Sequence, residues 1–321
     1  MIFVEIPVLN KVSGELRDPA CVPDRADLSL RDEPIVQPNF GTLVTRFAPS
    51  PTGFLHLGHA YSAWMAWRLA VQSGGRFLLR IEDIDVTRCR PEYDAALQDD
   101  LAWLGLRWEQ PVRRQSEHLP EYRSVVEGLW SRGLLYPCFC SRAEIQREIE
   151  AAGGAPHGID GPLYPGTCRR LSADEVNARV QRGDPYALRL NLERALESVP
   201  VELCWMDLQR GDQRAQPEVL GDVVLVRRDI GCSYHLCVVW DDALQGVTHV
   251  SRGEDLFEAT HLHRLLQALL NLPVPVYSHH GLLKDAAGKR LAKRDRAESL
   301  RGLREQGMCR ENILARLRLH E

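Results

Sequence analysis

The run Arg46–His59, RFAPSPTGFLHLGH, holds the first residues whose types and spacing suit chemistry. His56 and His59 can donate imidazole N–H groups to phosphate oxygens, and they stand where a loop shaped by Pro49, Pro51 and Gly53 enters a helical stretch. A helix N-terminus favours anions through its dipole and its unpaired amides, and Gly58 lets the backbone come close. Neither Gly-x-x-x-x-Gly-Lys-Ser/Thr nor Gly-x-Gly-x-x-Gly occurs, so the two commoner phosphate cradles are excluded. A second basic group lies far downstream in GKRLAKR (288–294), where Arg290 and Lys293 can neutralise phosphate. A third constellation is soft: Cys138, Cys140 and Cys168 fall in a Gly- and Pro-rich stretch with little apolar material to hold it together. Zinc would supply a cross-link there, with His157 or Tyr164 as the fourth ligand.

Such groups need a strand, loop and helix frame to bring them together. LVTRFA (43–48) reads as a strand, about 59–72 as a helix and RFLLRIE (76–82) as a second strand, the unit of a parallel sheet with crossover helices. Pro91 suits the first turn of another helix, and 119–133 give one more. From 136 to 220 the texture turns to Gly, Pro and Cys with short strand-like pieces such as YALRLNL, which reads as an insertion. DVVLVRR and SYHLCVVWDD then read as a hairpin, followed by a strand (GVTHVSR), a helix (about 257–270) and a strand (VPVYSHH). Two short amphipathic helices follow the basic loop. The expected division is an extension (1–41), the first half of the layered domain (42–135), the insertion (136–220), the second half (221–296) and C-terminal helices (297–321).

The 321 residues leave room for one large domain or two modest ones, and 44% hydrophobic with 26% charged residues are ordinary for a folded protein. With 40 basic against 44 acidic residues the net charge is −4, so a nucleic acid would have to be held by local patches. No apolar run reaches the roughly 20 residues of a spanning helix. The N-terminus lacks the pattern of a signal peptide, which together with an odd count of nine cysteines points to reduced thiols in the cytoplasm. Cys21, Cys89, Cys204, Cys232, Cys237 and Cys309 have no partner at a useful spacing and read as buried or surface thiols.

Histidines ahead of a helix and a basic loop near the far end, in that order, resemble the two signatures of class I aminoacyl-tRNA synthetases, His-Ile-Gly-His and Lys-Met-Ser-Lys-Ser. RFAPSPTG, RIEDID, YHLCVVWDD, VSRGEDL and GKRLAKR are similar to the glutamyl branch, from about Thr45 to the end of the chain. Arg290 and Ala292 depart from the second signature, where lysine and serine are usual. The resemblance implies an α/β fold, a Rossmann-like parallel-sheet catalytic domain with a zinc-containing insertion and a short helical C-terminal segment. It implies ATP as substrate, with Mg²⁺, and a catalytic set of His56, Gly58, His59 and Lys293, with His56, His59, Arg290 and Lys293 at the ATP. Glutamate contacts would fall on Arg46, Phe47, Ala48, Pro49, Ser50, Glu82, Tyr234 and Arg252. The chemistry suits them, because a buried carboxylate or ammonium is costly unless paired: Arg46 can fork a carboxylate, Ser50 adds a hydroxyl and Glu82 can receive the ammonium. Tyr234 and Arg252 are expected at strand ends, and Asp83, Asp85, Asp241 and Asp242 read as supporting carboxylates.

The glutamyl-queuosine members of this branch carry a Cys-x-Cys, Tyr-x-x-x-Cys arrangement, which implies Cys138, Cys140, Tyr164 and Cys168 as ligands of one structural zinc. Fewer than thirty residues follow Lys293, too few for the helical domain with which ordinary members reach the anticodon. Glutamate activated by ATP would then pass to queuosine in the anticodon loop of tRNA(Asp), without an obligate protein partner. Two other readings are a truncated glutamyl-tRNA synthetase that charges a tRNA 3′ end and a non-catalytic tRNA- or nucleotide-binding paralogue. Candidate RNA contacts are Arg169, Arg170, Arg179 and Arg182 in the insertion and Arg301, Arg304, Arg310, Arg316 and Arg318 near the end.

Overall fold

The structure, a computed structural model, describes residues 42–151, 157–158, 161–200, 202–229, 231–283 and 299–317. The extension (1–41), Arg290, Ala292, Lys293 and Arg318 lie outside them. The first half runs through β1 (Val44–Phe47), α1 (Leu57–Gln72), β2 (Arg76–Ile81), α2 (Pro91–Trp103), β3 (Glu109–Arg114) and α3 (Leu119–Ser131). A middle stretch follows with β4 (Leu135–Cys138), α4 (Arg142–Ala151), β5 (His157–Gly158), β6 (Gly161–Pro162), α5 (Ala173–Gln181), β7 (Ala187–Leu190), α6 (Leu192–Glu197), β8 (Cys204–Asp207), β9 (Gly211–Arg214) and β10 (Val224–Val226). The last part holds α7 (Tyr234–Leu244), β11 (His249–Gly253), α8 (Ala259–Leu269), β12 (Val276–His280), α9 (Leu300–Glu305) and α10 (Arg310–Arg316).

Strands β1, β2 and β3 pair in parallel, and so do β11, β12 and β8. The Thr248 N–H donates to the Val44 carbonyl (3.0 Å), which sets β11 beside β1. Strand order across the layer is therefore β3-β2-β1-β11-β12-β8, with β9 antiparallel on the outer edge. The chain steps one way from β1 and returns to β1's other side, and the crevice beyond the carboxyl ends of such a switch point is where open α/β sheets bind ligands. β8 and β9 fall within the span 136–220 read as an insertion, yet they extend this sheet. The separate part of that span is built on β4 and β7 with the small helices around them, and β10, just beyond the span, pairs antiparallel with β7 to complete their sheet.

Local sequence explains the close packing around β1. On α1, Ala60, Ala63, Ala66 and Ala70 are buried with Trp64, and the Thr45 hydroxyl donates to the Ala66 carbonyl at 2.8 Å. Side chains this small let the helix lie close against the strands. At the entry to β2, a Cβ on Gly75 would sit 2.3 Å from the Leu43 carbonyl oxygen, so only glycine fits.

SYHLCVVWDD is not a strand. Ser233 accepts the Leu236 N–H (3.4 Å) as an N-cap, and the apolar run winds into α7, buried from Leu236 to Val239 between neighbours on several sides. β-branched and aromatic content suggests a strand, but the cap and the burial decide otherwise. Its last turn delivers Asp241 and Asp242 to arginines of β1, β2 and β3. The C-terminal helices bury Leu300, Leu303, Ile313, Leu314 and Leu317 against Leu97, Leu101 and Leu104, so they complete the core over α2.

Candidate active site

At the carboxyl ends of β1, β2, β11 and β12 lies a cavity of about 450 Å³. Arg46, Phe47, Ala48, Pro49, Ser50, His56, Gly58, His59, Glu82, Tyr234 and Arg252 all line it, so every candidate for ATP or glutamate among the described residues meets in one place. Tyr234 reaches it from the first turn of α7 and not from a strand end.

His56 is the N-cap of α1. The Gly58 N–H donates to its Nδ1 (3.1 Å), while the His56 N–H donates to Nδ1 of His59 (3.3 Å), a capping box made of two imidazoles. The rings stack 3.8 Å apart. With each Nδ1 accepting, each neutral ring carries its proton on Nε2 and is a donor there. A Cβ on Gly58 would lie 3.0 Å from Cε1 of His56, so glycine is what allows the ring this seat.

Below the cavity floor the charges are nearly matched. Arg46 Nε donates to Asp242 (2.9 Å), and Arg80, fully buried, donates to Asp242 (2.8 Å) and Glu82 (3.2 Å). Burial works against the Arg80 charge, but Asp242, Glu82 and Asp241 together raise its pKa above the ordinary value. Burial likewise pushes the Glu82 carboxyl up, to about 7, against the opposing effect of Arg80 and Arg46. Asp242 goes the other way, because the same two guanidinium groups outweigh its burial. Asp241 accepts from Arg113, Gln115 and Tyr122 and braces β3 and α3 against α7. Arg252 is different: it is 5% exposed and has no carboxylate within ion-pair distance among the described residues.

Tyr61, Ser62, Asp255 and His280 also line the cavity and were not among the residues read from sequence. His280 is the most telling, since Nδ1–H donates to the Gly281 carbonyl (3.1 Å) while the buried Nε2 has no partner among the described residues and can accept a hydrogen bond from a ligand. Its place at the end of β12 was the available signal.

Residues 42–320 match the family model described as tRNA synthetases class I (E and Q), catalytic domain. The chain belongs to this family. It is 55% identical over 277 residues to a glutamyl-Q tRNA(Asp) synthetase of Rhodobacter capsulatus, covering 84% of this chain and 98% of that one. A glutamyl-Q tRNA(Asp) synthetase of Symbiobacterium thermophilum is 44% identical, covering 86% and 85%. A solved glutamate tRNA ligase from Elizabethkingia meningosepticum, in complex with its amino acid, superposes with a TM-score of 0.67 at 30% identity over 79% of this chain. The chain spans about half the length of that ligase, 52%. These relatives are ligases, and the α/β parallel-sheet catalytic domain is that of the class I synthetases.

Outside the cavity, the Sγ atoms of Cys138, Cys140 and Cys168 lie within 4.8 Å of one another. The Tyr164 hydroxyl is 3.6 Å from Cys140 Sγ and accepts the Cys168 N–H (2.9 Å), and the Phe139 N–H donates to Cys168 Sγ (3.4 Å). A hydrogen bond from Cys138 lowers the Cys168 thiol to about 6. Three sulfurs and a phenol converging on one point are a donor set that fits a tetrahedral metal. The side chain of His157 lies outside the described residues. The remaining described cysteines are free thiols, Cys232 and Cys237 buried, Cys89 half-buried, Cys204 and Cys309 exposed.

The expected RNA-binding arginines are partly occupied within the chain. Arg304 pairs with Asp99 (2.8 Å) and Asp100 (3.3 Å), Arg301 with Asp99 (3.7 Å), and Arg310 Nε donates to the Leu104 carbonyl (2.8 Å), all fastening the last helices to α2. Arg182 pairs with Asp184 (3.0 Å) and Arg179 lies over the Phe139 ring.

Proposed function

We propose that the chain activates L-glutamate with ATP and passes it from glutamyl-adenylate to queuosine in the anticodon loop of tRNA(Asp). The reading is carried by Arg252, a buried cation without a carboxylate partner among the described residues, set in one cavity with Glu82 and with the histidine-capped end of α1. A ligand with two carboxylates and an ammonium satisfies what these groups lack: Arg252 takes a carboxylate, Arg46 offers its terminal nitrogens to a carboxylate while Nε stays on Asp242, and Glu82 takes the ammonium. An α-carboxylate oxygen then attacks the α-phosphorus of ATP, and pyrophosphate leaves. The Nε2–H groups of His56 and His59 and the cation of Lys293 stabilise the charge that develops on the phosphoryl oxygens, so positioning and electrostatics carry the acceleration. Mg²⁺ would accompany the ATP, and Arg290 its phosphates.

Queuosine-bearing tRNA(Asp) as acceptor is supported by the names of the relatives, 55% and 44% identical over most of both chains. The glutamate–tRNA ligase of Aquifex aeolicus, 39% identical, favours the same activation with a tRNA 3′ end as acceptor. Zinc held by Cys138, Cys140, Tyr164 and Cys168 would act as a cross-link, because the apolar cluster around these residues is small. Activation is tested by ATP–pyrophosphate exchange with glutamate, glutamine or aspartate, each with and without tRNA. Exchange with glutamate is expected; none under any condition would favour the non-catalytic paralogue.

A further inference from the structure

Arg252 is held by neutral groups. Its Nε faces Nε2 of His279 (3.1 Å), one terminal nitrogen faces Nδ1 of His263 (3.2 Å) and the other donates to the Thr260 hydroxyl (2.6 Å). A guanidinium only donates, so both ring nitrogens facing it must be lone-pair acceptors. For His263 the proton then sits on Nε2, which donates to Nδ1 of His235 at 3.1 Å. For His279 it sits on Nδ1, which donates to Oδ2 of Asp207 at 2.5 Å. Burial, with Arg252 beside it, drops the His279 pKa to about 4, so the ring is neutral at pH 7. Asp207 and His279 are buried, and Oδ1 of Asp207 is fixed by the N–H groups of Gln209 (2.8 Å) and Arg210 (3.2 Å).

We infer that Asp207, at the end of β8, is a positioning residue: it sets the tautomer of His279, and His279 in turn holds the Arg252 guanidinium at the cavity wall with its charge left for a substrate carboxylate. Carboxylates in place of the histidines would hold the guanidinium equally well and cancel its charge. Imidazoles orient it and leave the charge, provided each ring presents a lone pair. An ionised carboxylate, acceptor-only, is the group that enforces this on His279. The inference rests on glutamate binding at Arg252 and adds how that contact is set.

Asparagine at 207 is an isosteric test. The two backbone N–H groups keep the amide oxygen at the Oδ1 position, so the amide nitrogen faces His279 and donates to Nδ1. The ring proton then moves to Nε2, against the Arg252 N–H, as in the wrong-tautomer variant of a serine protease triad. With queuosine-bearing tRNA(Asp) present, ATP–pyrophosphate exchange by Asp207→Asn should show a glutamate KM raised about tenfold or more, with kcat and the KM for ATP changed less than about threefold. Histidine ¹⁵N spectra, assigned by loss of the signal in His279→Gln, should show the shift from the Nδ1–H to the Nε2–H tautomer. Glutamine at 279 offers its amide oxygen to Arg252 whatever occupies 207, so Asp207→Asn should have no further effect on the glutamate KM in that background. A tautomer change with the glutamate KM within about twofold of wild type, or an Asp207→Asn loss that persists undiminished with Gln at 279, overturns the inference. Wild-type enzyme without glutamate-dependent exchange overturns the functional reading and this inference together.

Discussion

Protonation of Glu82 ties amino-acid binding to pH. Its carboxyl titrates at about 7 because burial outweighs Arg80 and Arg46, and only the ionised form can receive an ammonium. Glutamate affinity should therefore be level above pH 8 and fall by about a decade per unit below pH 7, as titration calorimetry across pH 5.5–8.5 would read. Stability runs the opposite way. A folded pKa raised above the unfolded value of 4.5 gives a contribution fully present below 4.5 and lost as pH rises through about 7. Arg252→Ala removes a charge-assisted contact of about 1.5–3 kcal/mol, so the glutamate KM should rise about one to two decades; an unchanged glutamate dependence in pyrophosphate exchange would remove Arg252 from the pocket. Gly58→Ala displaces the His56 ring from its seat, and adenylate formation in single-turnover experiments should fall by about one decade or more. At this scale the sequence displayed the two histidines and the arginines. It could not display that the imidazoles cap their own helix, nor the neutral cradle around Arg252, since His263 and His279 are brought to it only by α8 and β12.

Elements differ in how far their structure is written in their own local sequence. β1, α1 and β2 were legible because strand, Pro/Gly loop and apolar helix alternate locally. α7 was not, since an apolar run bearing Val238 and Val239 suits either structure until Ser233 caps it and packing against α3, α8 and β10 buries it. β8 hides in a segment of insertion-like composition because its pairing with β12 is far away in sequence. The last helices read as short and amphipathic with arginines offered to RNA; Leu303 is wholly buried on their apolar side, while Arg304 is bound to Asp99 and Asp100. Leu303→Ala should cost about 2–5 kcal/mol of stability, read by urea denaturation. At the proposed zinc site, Cys168→Ser should lose zinc from about one equivalent per chain to a small fraction by elemental analysis. It should also expose the α5 region to limited proteolysis, while protein with no zinc before substitution would contradict the assignment.

For the molecule as a whole, the net charge of −4 leaves RNA binding to local contacts, and part of the expected arginine set is already committed to packing. The affinity for tRNA should fall with salt along a shallow log–log slope, set by the few phosphate contacts that the remaining arginines make. Among the described residues no helix is long and apolar enough to cross a membrane. The central claim is the destination of the activated glutamate, and an unstacked anticodon loop presents its modified base to a pocket in a way that a duplex cannot. Its most direct test loads the enzyme with ATP and radiolabelled glutamate in the presence of queuosine-bearing tRNA(Asp), digests the product with a nuclease, and asks which fragment is labelled. Label is expected on the anticodon fragment that contains queuosine. Label on the 3′-terminal adenosine, or on tRNA(Glu) with none on tRNA(Asp), would contradict it.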